Sequence, residues 1–507
     1  MPSDSLPPPD PREPGPGGSR RPLVAVVGGG ISGLAAAWRL ATLPDPPRVV
    51  VLEGSPRVGG ALRTGELDGV PVDLGAESFL ARRPEATDLA RELGLTDRLE
   101  HPRTSTASVL RDRVMHPLPP GTVMGVPGGP EHLLGPLTAA EVERVLAEPA
   151  LPDTPIGHDV DVAGWVAARV GPAVVDRLVE PLLGGVYAGH AARLSLQATV
   201  PALWQAAREG GSLLAAVRRA AAGGAGAGPV FAGLRGGVGR LPEELVAALT
   251  ARGVAVRGRA TVRGLHRTAT GWRLVVGSVP REEALDVDAV VLAVPPAAAA
   301  RLLAAQAPAA ARALAGFEAA SVALVTALVP AQALDGVPGS GVLVPPAEGL
   351  DVKAMTFSSA KWGWTHEAAG AGRVAVRMSL GRAGEEAVLQ RDDADLAELA
   401  LAQASRIVGR PLTGGTGGPG AHGTPWLVTR WGGALPQYAV GHVARVSAVR
   451  ADVARLPGLA VCGAAYDGVG IPACVAAAGL AARQVAAHLD GPDLVGRALP
   501  GSGTLGA

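Results

Sequence analysis

Several short stretches of the chain are apolar at nearly every position and then stop at a turn residue. PLVAVV (22–27) ends at Gly28, RVVVL (48–52) is closed by Glu53-Gly54, and GLAVC (458–462) ends at Gly463. Short continuous apolar runs suit strands of a parallel sheet covered on both faces. Longer stretches carry the helical period. PEATDLARELGL (84–95) closes at Gly94, and VAGWVAARVGPAVVDRLVEPLLGGVYAG (162–189) reads as a helical pair broken at Gly171-Pro172. Residues 85–225 are expected to be mostly helical, with AAAGGAGAG (220–228) as a flexible loop. GGVGRLPEELVAALTARG (236–253) reads as a capped helix leading into VAVRGRATVRGLHRT (254–268), whose alternation predicts a strand. GWRLVVGS and DAVVLAVPP continue a sheet. ASVALVTALV (320–329) and GRVAVRMSL (372–380) add strands, and a helix is expected over 392–408.

Two places combine strand, glycine turn and helix. Near the start, VAVVGGGISGLAAAWRL places Gly28, Gly30 and Gly33 as G-x-G-x-x-G. Gly28 permits the tight turn after the strand, Gly30 lets backbone approach a pyrophosphate, and Gly33 lets the helix pack on the strand. The amides of Gly29, Ile31 and Ser32 complete the helix N-terminus that meets phosphate. Glu53, about twenty residues on at the end of the second apolar run, is placed to accept ribose hydroxyls. Near the end, AYDGVGIPACVAAAG (465–479) repeats the device, with Val469, Gly470 and Ile471 at its turn. Both segments are expected to share one sheet and to point at one long, phosphate-bearing cofactor, with the middle of the chain inserted between them.

Composition narrows the class. The 507 residues exceed one compact core and predict two or three domains. Gly 70 and Pro 45 accompany only two lysines, Lys353 and Lys361, a coding bias that devalues glycine counts as functional signals. The net charge of +0 argues against a nucleic-acid footprint. Cys462 and Cys474 form no CxxC pair, and no histidine has another three or four residues away, so no metal site is expected. Every long apolar run is interrupted by charge, proline or glycine, and the Pro/Gly-rich start lacks an apolar signal segment. A cytoplasmic protein without a transmembrane segment is expected.

Further motifs go beyond a nicotinamide site. EGSPRVGGALRT holds Glu53, Arg57, Gly59 and Gly60, and VDLGAESFLARRPE holds Gly75, Ala76, Glu77 and Ser78. The first resembles the segment after the dinucleotide motif in the FAD-containing amine oxidase superfamily. The second is similar to the flavin-edge segment of bacterial porphyrinogen oxidases. PLLGGVYAGHAARLSLQATVP, FAGLRGGVGRLPEEL, LPQYAVGH and AYDGVGIPACVAAAG resemble that family in the same order. The resemblance covers nearly all of the chain past residue 21. It points to the oxygen-dependent, soluble branch of Gram-positive-type bacteria, whose members oxidise coproporphyrinogen III.

That resemblance implies an α/β protein: a discontinuous Rossmann-like FAD-binding domain (21–84, 228–297, 455–490), a mixed-sheet substrate domain (85–108, 193–227, 298–454) and a helical insertion (109–192), with tails at 1–20 and 491–507. It implies non-covalent FAD. Val262 would lie against the adenine, Trp431 near the flavin, and Val469, Gly470 and Ile471 along its ring. Arg83 would hold a substrate carboxylate. TASVL (106–110) lacks the arginine that plant-type members place before this strand, which favours a tetracarboxylate substrate. The implied reaction is oxidation of a porphyrinogen by O2, with H2O2 released and no acid–base residue evident. Protoporphyrinogen IX is the alternative substrate. A flavin amine oxidase, a polyene desaturase and a GDP-dissociation-inhibitor-like binding protein share the fold. The intact RVGG and GVGIPA segments argue against the last of these.

Overall fold

A computed structural model describes residues 20–224, 228–413 and 423–491. The tail at 1–19, the stretch 225–227 of the expected loop and the tail at 492–507 lie outside the described residues.

Strand β1 (Leu23–Val27), helix α1 (Ile31–Ala41) and strand β2 (Arg48–Leu52) open a five-stranded parallel sheet. Its order is Ala255–Arg257, β2, β1, Ala289–Leu292, Leu459–Val461, so strands from both ends of the chain lie two positions apart. The unbroken apolar runs follow from this placement. Val24, Val26, Val49, Val51 and Val291 face one core, with α1 and the last helix, Ile471–Leu489. Leu23, Ala25, Val27, Val50, Leu52, Val290 and Leu292 face a second core. That second core is roofed by the meander Val262–Arg267, Trp272–Ser278 and Arg281–Val287 and by the helix His442–Val453. A strand buried on both faces has no polar side to alternate with.

A seven-stranded mixed sheet forms the second layer system. Its order is Trp426–Pro436, Ala319–Pro330, Arg373–Leu380, Val352–Phe357, Gly341–Leu343, Ser108–Arg111, Val114–Pro117. The helix Asp393–Val408, capped by the Asp392 side chain, covers one face through Leu396, Ala400, Ala404 and Ile407. A separate helical core contains Val166, Leu178, Leu183 and Leu203. Its helices break at Gly171, whose φ of 93° starts a new segment at Pro172.

Three details differ from the sequence reading. Residues 99–117, within the stretch expected to be mostly helical, contribute the strands Leu99–Glu100, Ser108–Arg111 and Val114–Pro117. The stretch 254–268 is two strands in two sheets, parted at 258–261, because Arg259 and Ala260 turn back to donate to Ser55 and Glu53 carbonyls. Residues 220–224 extend the helix Leu213–Gly224 instead of opening a loop.

Candidate active site

The first glycine turn is held by backbone crowding. Gly28 has a φ of 108°, and a Cβ on Gly33 would stand 1.9 Å from the Gly28 carbonyl oxygen. Helix α1 therefore begins directly against the strand end. Gly30 is its N-cap and supplies no side-chain cap, so the first-turn amides of Ile31, Ser32 and Gly33 are left to other acceptors. A Cβ on Gly30 would meet only Gly60 Cα, at 4.0 Å. Gly59 donates to the Gly29 carbonyl at 2.8 Å, which lays the RVGG segment on the GGGISG turn. Arg57 is exposed beside them, with burial and Arg63 lowering its pKa from an already high value.

Glu53 sits just past β2. Its carboxylate accepts from Gly29 N–H and Ser55 N–H, each at 2.7 Å. Ala260 N–H donates to the Glu53 carbonyl at 2.7 Å, which brings Val262 to within two residues of that point.

The last helix repeats the arrangement. Gly468 takes a φ of 143°, Gly470 is an N-cap without a side-chain hydrogen bond, and Pro472 occupies the first turn. A Cβ on Gly470 would meet only Pro472 Cδ, at 3.8 Å. Helix α1 packs along this helix, and the Ser32 hydroxyl lies beside the Cys474 thiol, so the two glycine-led N-termini stand together. Both cysteines are buried free thiols, and burial raises the pKa of each.

The segment Gly75–Ser78 is clamped from outside. A Cβ on Gly75 would stand 1.9 Å from the Ala61 carbonyl oxygen. Trp431 Nε1 donates to the Leu74 carbonyl at 2.7 Å, placing the indole across this backbone. Arg377 donates to the Gly75 carbonyl at 2.5 Å and to Glu77 at 2.6 Å, while Lys361 donates to Glu77 at 2.7 Å and to Ser78 Oγ at 3.4 Å. Burial would raise the Glu77 pKa, but Lys361 and Arg377 outweigh it and bring it down to about 2. Asp73 goes the other way. Burial lifts it to about 7, against the Arg377 charge and the Val238 and Gly239 amides. Those amide contacts mean that the helix Arg240–Ala251 is capped by a remote carboxylate, not by its own N-cap, Gly239.

The structure thus brings together the Gly28–Gly33 turn, Glu53 and Gly59-Gly60 at one end, and Gly75–Ser78 with Trp431 at another. Glu77 turns its carboxylate into the Lys361–Arg377 cluster, so only its backbone is left to face a ligand. Arg83 is not gathered in; it is exposed and pairs with Glu85 at 2.5 Å. Lys361 and Arg377 were not identified from sequence. A lone charge within an otherwise apolar stretch of strand is the local signal Arg377 gives, and its partner lies 300 residues away.

The arrangement fits a dinucleotide that carries a ring system. Two helix N-termini without side-chain caps have N-cap glycines at which a Cβ would meet no atom nearer than 3.8 Å, leaving a cradle beside the first-turn amides. Residues 31–486 match the family model for flavin containing amine oxidoreductase. The chain belongs to that family. It is therefore a flavin-dependent oxidoreductase with FAD as its cofactor. Among its relatives in the family, the coproporphyrinogen III oxidase of Mycobacterium tuberculosis (strain H37Rv) is 40% identical over 478 residues, which is 92% of this chain and 97% of the relative. That of Bacillus subtilis (strain 168) is 31% identical, over 89% of this chain and 95% of the relative. A crystal structure from Exiguobacterium sp. 255-15 superposes with a TM-score of 0.77 at 29% identity, covering 92% of this chain and 99% of that one. No helix among the described residues is long and apolar enough to cross a membrane.

Proposed function

We propose that this chain oxidises coproporphyrinogen III to coproporphyrin III in the cytoplasm, with O2 as acceptor, H2O2 as by-product and FAD held non-covalently. The meeting of the two uncapped glycine-led helices beside the clamped Gly75–Ser78 backbone carries the flavin part. Identity over nearly the whole length to relatives named coproporphyrinogen III oxidase supports the substrate.

Bound FAD supplies the two-electron acceptor. The protein's residues bind and orient. The amides of Ile31, Ser32 and Gly33 would receive pyrophosphate, and Glu53 and the Val262 backbone would receive the ribose and adenine. Arg57 would add charge to the phosphates beside Gly59 and Gly60. Gly75–Ser78, Trp431 and Val469–Ile471 would border the ring. The positive end of the last helix favours negative charge where it is directed. Among the described residues Arg83 pairs with Glu85 alone, at the surface, an interaction weak enough to leave its guanidinium available to a substrate carboxylate.

Steady-state oxidation of coproporphyrinogen III and protoporphyrinogen IX, followed by porphyrin fluorescence and peroxide release, tests the reading. It requires a higher kcat/KM for the first. A higher value for the second would move the chain to the dicarboxylate substrate.

A further inference from the structure

Forty-four of the 46 basic residues are arginine, and the two lysines are both largely buried. Lys361 is matched by Glu77. Lys353 is not matched by any carboxylate within 4.0 Å among the described residues. It is 4% exposed, and its ammonium donates to the Gly381 carbonyl at 2.6 Å. The next residue, Arg382, is 5% exposed and donates to the Val344 carbonyl at 3.1 Å. Val344 is in turn paired to Lys353 through its amide, so the two cations share one corner of the mixed sheet. Around that corner, Glu385 stands 3.8 Å from Arg382 and is half exposed. Glu180 is occupied by His190 and the Ala191 amide, and Asp351 by Gln403. A buried ammonium with three donors and one backbone acceptor, beside a buried guanidinium, is costly unless an anion completes it.

The corner also has a position relative to the candidate site. Gly381 lies four residues beyond Arg377, the side chain that grips Gly75, which is about 13 Å along the strand. Across from it, the helix Glu180–Tyr187 packs on the strand Val352–Phe357, and Ala383 donates to the Ala188 carbonyl. The pair therefore stands where the mixed sheet meets the helix Glu180–Tyr187 of the helical core. Junctions of this kind are where small-molecule sites form.

We infer that Lys353 and Arg382 form a carboxylate-binding subsite that receives one propionate of the tetrapyrrole, an assignment that rests on the substrate class proposed above. Burial and the adjacent Arg382 push the Lys353 pKa down to about 7, so near neutral pH the unliganded side chain is partly uncharged. A bound propionate would restore its full charge.

The test compares wild-type holoenzyme with Lys353→Met, which keeps side-chain volume and removes the charge. KM for coproporphyrinogen III and equilibrium binding of coproporphyrin III, by fluorescence quenching, are both read. The subsite predicts that each constant rises about tenfold or more, the loss of a charge-assisted hydrogen bond. The flavin absorption spectrum should be unchanged, and kcat should stay within about twofold. Unchanged KM and unchanged product affinity would overturn it, as would an altered flavin spectrum that accounted for the loss. Should Lys353→Met fail to fold, Arg382→Gln reads the same two constants with the same criteria. Wild-type protein that neither binds coproporphyrin III nor oxidises its porphyrinogen would instead refute the substrate class, a separate result visible before any variant is made.

Discussion

At the scale of single residues, glycines divide into those that close the fold and those that open the site. A Cβ on Gly33 would enter the Gly28 carbonyl, so Gly33→Ala is expected to cost at least about 1–3 kcal/mol and to lower Tm. A Cβ on Gly470 would meet almost nothing, so Gly470→Ala should keep its Tm in apoprotein and lose FAD affinity, measured by flavin fluorescence titration. Equal affinity in that variant would remove Gly470 from the cofactor site. Asp73 and Glu77 give opposite pH signatures. The Glu77 pKa falls from 4.5 to about 2, so its contribution is complete above about 4.5 and is lost as pH drops toward 2. The Asp73 pKa rises from 3.8 to about 7, so the folded state holds a proton that the unfolded state releases, and stability declines as pH climbs from about 4 to 7. Asp73→Asn should flatten Tm against pH across that window, and an unaltered slope would contradict the assignment. Arg83→Ala should raise KM for coproporphyrinogen III with little change in kcat or Tm, because its surface pair with Glu85 stabilises little; an unchanged KM would sink its role.

At the scale of elements, legibility follows the range of the forces. The βαβ opening, the broken helical pair at Gly171-Pro172 and the final glycine-led helix were readable, since strand, turn and helix lie within a few residues. The strands of residues 99–117 are two to four residues long, too short to show a period, and are fixed by partners such as Val342 and Leu234 far along the chain. The single alternating stretch 254–268 became two strands because Ala255–Arg257 is claimed by β2 and Val262–Arg267 by its own hairpin partner. The Glu77 cluster was invisible for the same reason: Lys361 and Arg377 reach it only once the mixed sheet has folded across the Gly75 segment. Trp431 shows how one element steadies another. Trp431→Phe removes the Nε1 bond to the Leu74 carbonyl while keeping an aromatic ring. FAD affinity is expected to fall several-fold, with a shifted flavin absorption band, while Tm of the apoprotein moves little.

At the scale of the molecule, one parallel sheet gathers strands from both ends of the chain, and the mixed sheet clamps the Gly75–Ser78 segment from outside. The buried Lys361–Glu77–Arg377 cluster lies on the clamp, not on the glycine turns. This division places cofactor binding on backbone and ring environment on side chains from distant strands. The central claim is that the assembled site passes electrons from a coproporphyrinogen to FAD. Anaerobic mixing of purified holoenzyme with coproporphyrinogen III in a stopped-flow spectrophotometer tests it most directly. Bleaching of the oxidised flavin band at a rate no slower than turnover, followed by recovery on admission of O2, is the predicted result. A flavin band that stays oxidised in the presence of saturating coproporphyrinogen III would contradict the account.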